Sequence, residues 1–285
     1  MIQDSIQDHL LSEYSDFLEF LPLYSDSSEE EEYIKNLIET FNINYHYEKF
    51  ESAFFNLHIL YMIIIYSYIL KLKNNDLEHF YMSLISLDKS EVKKYQKKFK
   101  NKKINLFDFS MFKEKNVFDF FEPLGFSKEY IKEISKSVDK RNVYTHPRGR
   151  IIIRTPKELG ILVQNNINAL KSIHSKISPK VCSIFISFID NTIDNFEDEL
   201  KEIDKLSLDL NNEKDNNKIK IIKSNIDKTN ESIKVKFKDF FIQENHLNYR
   251  DILDCLNIKI RNYSNLIRFK DKEKLFYKFK EIFSE

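Results

Sequence analysis

The sequence predicts an all-α protein, and three observations carry that prediction. Gly contributes only 3 residues of 285 and Pro 5, against ordinary shares of about 7% and 5%. A turn-rich β architecture therefore lacks the residues that would make its turns. Apolar residues recur at spacings of three and four through most of the chain, the period of a helix with one buried face. Hydrophobic residues make up 42% and charged residues 32%, a balance that supports a core and not a disordered polyelectrolyte. At about 150 residues per domain the length allows roughly two units.

In chain order, residues Ile6 to Leu23 form an amphipathic stretch. The acidic run Ser27 to Glu32 follows, placed where the positive end of the next helix dipole favours it. A long apolar helix is expected from Tyr47 to Lys73. Its Ala53 to Leu70 portion has only Asn56, His58 and Ser67 as clearly polar residues and is long enough to span a membrane. Its tyrosines, the early Asn56 and His58, and the polar flanks instead predict a buried bundle helix with no stable membrane association.

Asp76 to Leu87 reads as a third helix. Ser90 then opens a helix bearing Lys93, Lys94, Lys97, Lys98, Lys100, Lys102 and Lys103. The aromatic-rich stretch Phe107 to Phe121 has no clear period. Ser127 caps a helix whose stripe runs through Ile131, Ile134 and Val138 to Thr145, and that helix should stop at about His146 because Pro147 disfavours helical geometry before it. Ile151 to Ile153 suggests a brief extended segment.

Thr155-Pro156-Lys157-Glu158 is a capping box with proline at the first helical position, leading through Leu159, Leu162, Ile167, Leu170 and Ile173. Ser178-Pro179 is expected to start a separate helix reaching Leu206. Residues 209–232 are polar and of low complexity, and read as a linker or protruding arm. Ser232 to Glu285 would be a small α(+β) region with strand character at Ile233 to Phe237. The expected organisation is a helical N-terminal extension (1–44), a helical bundle (45–178), a long helix (179–208), and a polar linker with a small C-terminal region (209–285).

Formal charge sums to zero, but its distribution does not. Residues 1–85 hold 4 Lys and 15 acids, whereas residues 86–154 hold 14 Lys, 4 Arg and 9 acids, a net of +9. Of seven arginines in the protein, Arg141, Arg148, Arg150 and Arg154 fall within fourteen residues. Such a cluster, in a chain that otherwise uses Lys, points to planar multi-donor recognition of phosphate.

Other classes of site are excluded by pattern. Gly125, Gly149 and Gly160 are too scattered for a dinucleotide fingerprint or a P-loop. No two histidines fall at zinc-binding spacing, and no serine sits in a nucleophile elbow. Cys182 and Cys255 are too few for a disulfide framework, which predicts reduced thiols, a packing role for Cys182 and, with no export signal after Met1, a cytoplasmic setting. Asp190, Asp194 and Asp198 read as a solvated acidic stripe.

What remains is Arg141-Asn142-Val143-Tyr144-Thr145-His146, followed by Pro147-Arg148-Gly149-Arg150. A His at the end of a helix lies near the negative end of its dipole, which favours the imidazolium. Arg141 stands on a stripe that is otherwise apolar and needs an anionic partner there. A proton-exchanging His beside guanidinium groups is suited to breaking a phosphodiester. The competing reading gives these residues a structural role, with Arg141 capping or pairing with an acid such as Asp139 or Glu133 and His146 ending the helix.

The pattern Arg141-Asn142-xxx-His146 in an all-helical setting resembles HEPN domains (higher eukaryotes and prokaryotes nucleotide-binding), over about residues 45–178. The resemblance implies a HEPN-like helical bundle and a metal-independent endoribonuclease without cofactor, acting as a toxin or abortive-infection effector against phage. Two motifs would meet across a homodimer. Arg141 and His146 would be the catalytic pair, with Asn142 orienting the His or the phosphate. Arg148, Arg150, Arg154, Tyr144 and Lys140 would contact RNA. A cognate antitoxin or regulatory protein is a further expected partner. In HEPN toxins paired with nucleotidyltransferase antitoxins a Tyr follows the His by two positions; here Arg148 stands there, so regulation through that tyrosine is not implied. The alternative is a non-catalytic HEPN-like module that binds nucleotides or protein.

Overall fold

The structure, a computed structural model, describes residues 13–23, 27–87, 92–93, 104–145, 153–225, 228, 247–251 and 254. At Ser86, Tyr144, Thr145, Ser207 and residues 185–204 it describes the backbone alone. The architecture is all-α: among the described residues there is no strand, and the one extended pairing is an isolated antiparallel bridge between Pro22 and Asn248. Ile153 is in neither strand nor helix. The lysines from Lys94 to Lys103 and the expected strand at Ile233 to Phe237 lie outside the described residues.

The first long helix, α1 (Ser28–His46), starts where the acidic run begins. The Ser27 hydroxyl accepts from the Glu30 amide at 3.2 Å, and Glu29, Glu30 and Glu31 occupy the first turn, against the positive end of the dipole. Ile34, Leu37, Phe41 and Tyr45 form its buried stripe. A tight turn, with Glu48 at φ 56°, reverses the chain into α2 (Phe50–Asn75).

Helix α2 is the axis of the molecule, and every residue from Leu60 to Leu72 is buried. It is long and apolar enough to cross a membrane, yet 89% of its most apolar window is covered by the rest of the protein. Helix α1 and the last long helix pack against it, so this is a core helix apolar on all sides because it has neighbours on all sides.

Helix α3 (Leu77–Ser86) is capped by Asp76, whose carboxylate accepts from the His79 amide. The stretch that had no clear period forms short turns: 3-10 helices at Leu106–Met111 and Phe118–Leu124 flank a single α turn, α4 (Glu114–Val117). Phe109, Phe112, Phe118, Phe120 and Phe121 are all buried there. Side-chain packing against α2 and α3, including the Ser83 hydroxyl donating to the Phe120 carbonyl at 2.6 Å, sets its path.

The helix expected from Ser127 to His146 is two helices, α5 (Lys128–Ile134) and α6 (Lys136–Thr145). Ser135 interrupts them. Its hydroxyl donates to the Lys132 carbonyl at 3.1 Å, the local competition by which serine disturbs helix interiors. The separate helix expected at Ser178-Pro179 is also corrected: α7 runs unbroken from Pro156 to Asn212, 57 residues, with Pro179 inside it. The capping box at Thr155 and Glu158 does open it. Beyond a break at residues 213–215 the chain is helical again over 216–225, with most side chains exposed, so the start of the low-complexity stretch is helix and not coil.

A buried polar network fastens residues 247–251 and Asp254 to this bundle. Lys71 of α2 pairs with Asp251, both fully buried. Asp251 also accepts from the Asn248 amide at 3.0 Å, while the Asn248 side chain donates to the Phe20 carbonyl at 3.2 Å. His174 of α7 shares hydrogen bonds with the Tyr68 hydroxyl at 3.0 Å and Asp254 at 2.9 Å. Cys182 packs beside the same segment, its Sγ 3.9 Å from the Asp251 carbonyl. It is buried, as the expected packing role requires, but disulfide-bonded, which corrects the reduced thiol expected there. The chain's other cysteine, Cys255, lies outside the described residues.

Candidate functional site

The last turns of α6 present Arg141, and the side chain that receives it comes from α4. Arg141 Nη2 donates to Glu114 Oε2. The same oxygen is 3.1 Å from Nε2 of His58, a residue of α2 that is only 2% exposed. Three elements therefore converge on one carboxylate oxygen. An ionised carboxylate only accepts, so the imidazole hydrogen is on Nε2 and the buried Nδ1 is left without a partner.

Burial alone would push the Glu114 carboxyl up. Hydrogen bonds from His58 and Arg141, and their charges, outweigh it and bring Glu114 down to about 2. Tyr66 stands within the same field. Its hydroxyl is pushed up mainly by burial and further by Glu114, while Arg141 acts in the other direction.

Arg141 is 24% exposed and Glu114 29%. One of five guanidinium N–H groups is committed to Glu114, and the side chain still reaches solvent. The acid is not one of the two nearby in sequence: Asp139 pairs with Lys115, and Glu133 lines a cleft between α5, α6 and α7. Arg141 is thus paired with an acid, as the structural reading expects, but with Glu114 in place of Asp139 or Glu133.

Asn142 is half-buried next to Arg141. Lys140 is half-buried and lines the same cleft as Glu133, and burial, with Lys136 beside it, lowers the pKa of its ammonium. Arg154 is exposed at the start of α7, where its amide donates to Glu158 at 2.7 Å. Tyr144 belongs to α6. His146, Arg148 and Arg150 lie outside the described residues; His146 follows Thr145, the last residue of α6.

The sequence reading missed Glu114 and His58. Glu114 gave no signal, being one acid among many. His58 gave one, as an ionisable residue in an otherwise apolar helix, and such a residue needs a partner. Among the described residues no group of three or more His, Cys, Asp or Glu is placed to hold a metal ion. No protein-family model, no curated protein and no solved structure matches this chain.

Proposed function

We propose that the chain is a metal-independent endoribonuclease of HEPN type, a toxin or antiphage effector that cuts RNA through a composite site in a homodimer. The observation that supports this reading is Arg141 itself: a guanidinium in the second half of α6, oriented by Glu114 with donors to spare, directly before Asn142 and five residues before His146. Holding an arginine by a carboxylate fixes its direction before substrate arrives, which is how a preorganised charge stabilises a transition state.

In the proposed reaction the RNA 2′-oxygen attacks the adjacent phosphorus and gives up its proton to an imidazole. The P–O5′ bond breaks, the leaving 5′-oxygen takes a proton from an imidazolium, and the upstream fragment ends in a 2′,3′-cyclic phosphate. His146 serves the proton transfers, Arg141 neutralises charge on the pentavalent phosphorus, and Asn142 orients one or the other. Arg148, Arg150 and Arg154, with Lys140 and Tyr144, hold the strand. The test is the product end: a 2′,3′-cyclic phosphate is expected, and a substrate with a single 2′-deoxy sugar at the cleaved position should resist. Cleavage of that deoxy substrate would remove this chemistry.

The pairing of Arg141 with Glu114 also favours a second reading, in which the arginine ties α6 to α4 and α2 in a non-catalytic HEPN-like module that binds nucleotides or a protein partner. Loss of fold on removing Arg141, with no RNA cleavage by the wild type, is what that reading predicts.

A further inference from the structure

A cleft whose lining does not include Arg141 opens between α5, α6 and α7, with a volume of about 510 Å³. This lies within the range of about 300 to 1,000 Å³ typical of small-molecule sites. Its floor is apolar, with Phe54, Ile134, Leu162 and Ala169. Its walls carry an excess of hydrogen-bond donors. Lys136 and Lys140 stand one helical turn apart on α6, both facing the cleft. Opposite them is Asn166 of α7, only 5% exposed, whose amide nitrogen has no hydrogen-bond partner. A buried amide donor without an acceptor is costly, so an acceptor supplied by a ligand relieves a cost the fold already carries.

The remaining lining sets the ligand's chemistry. Two ammonium groups and a buried N–H ask for an oxygen-rich anion, and one carboxylate, Glu133, leaves the lining positive. Tyr130 supplies an aromatic wall braced by stacking on Phe126, with centroids 5.2 Å apart and planes 14° from parallel. We propose that this cleft binds a small phosphate ester of mononucleotide size, its phosphate held by Lys136, Lys140 and the Asn166 amide and its flat organic part laid against Tyr130. Glu133 accepts from hydroxyl or amino groups of the organic part. The cleft shares Lys140 with the strand contacts proposed above but does not include Arg141, and the proposal stands whether or not the chain cuts RNA.

Titration calorimetry on the full chain tests it, with 5′-AMP, adenosine and inorganic phosphate as probes and a five-nucleotide single-stranded RNA as competitor. Saturable binding of AMP is expected, with adenosine at least about tenfold weaker because it lacks the charge-assisted contacts. Lys140→Gln and Lys136→Gln should each weaken AMP by about fivefold or more, and Asn166→Asp should abolish binding by turning a donor into an anion. Lys35→Gln, on distant α1, should change nothing. Both lysines are at least partly exposed, so their variants fold even if Asn166→Asp does not. Competition by the RNA would assign the phosphate to a strand, and no competition would assign it to a free metabolite. No AMP binding at millimolar concentration, equal binding of adenosine, or unchanged binding by Lys136→Gln and Lys140→Gln would each overturn the proposal.

Discussion

Arg141 and His58 meet at a single atom: both direct an N–H to Oε2 of Glu114, across 83 residues of chain. The consequence is an ionised carboxylate held in a half-buried place, which makes this junction sensitive to acid. Glu114 ionises near 2 in the folded protein against an ordinary value of 4.5. A carboxyl whose folded pKa is depressed contributes stability that is full above its unfolded pKa and is lost as pH falls through the folded one. The window is therefore pH 4.5 down to 2.

Glu114→Gln should lower stability by about 1–3 kcal/mol at pH 6, where two charge-assisted hydrogen bonds are weakened. The gap between wild type and variant should close as the pH approaches 2. Urea unfolding of both proteins at several pH values checks this, and a gap that does not depend on pH would show that Glu114 is not the acid-sensitive partner.

Lys71 and Asp251 make a second junction, fully buried. Lys71→Met leaves a carboxylate without its cation in the core, a change that costs about 3–5 kcal/mol. The double variant Lys71→Met with Asp251→Leu removes both charges and should be less destabilised than Lys71→Met alone. Thermal or urea unfolding of the three proteins decides it; a double variant worse than the single one would mean that the hydrogen bond from the Asn248 amide to Asp251, more than the ion pair, holds this segment in place.

Pro179 makes the third prediction. Inside a helix it removes one backbone hydrogen bond and its ring crowds the preceding turn, at roughly 3 kcal/mol relative to Ala. The side chain is exposed, so little packing is lost on removing it. Pro179→Ala should therefore stabilise the protein by about 1–3 kcal/mol. A loss of stability would mean that a bend at Pro179 is needed for Lys180 to reach Asp76 at the start of α3, an ion pair present in the structure.

These cases mark where the sequence was legible. Helix starts with a local chemical cause were readable: Ser127 and Thr155 cap the helices their side chains predicted, and the acidic run after Ser27 marked the start of another. Local rules failed where tertiary contacts decide. Ser178-Pro179 has the form of a helix start, yet α7 continues through it because its apolar stripe, including Ile173, Ile177 and Val181, stays buried on both sides of the proline. The phenylalanines after Phe107 have no period because they are placed by partners on α2 and α3. At the site, Arg141 was legible as a charge on an apolar stripe, but its partner was not. Glu114 comes from a four-residue turn 27 positions earlier, and only the folding of that turn against α2 brings it within reach.

The most direct test of the central proposal is cleavage of RNA by the purified protein in EDTA, with Arg141→Ala and His146→Ala alongside and their folding and oligomeric state verified. The account predicts that the dimeric wild type cuts and leaves 2′,3′-cyclic phosphate ends, and that each variant remains folded and dimeric but loses about 10² to 10³ in rate, the scale of removing a proton-transfer group or a charge-stabilising donor. Intact RNA with the wild type, or cutting that survives both substitutions, would contradict it.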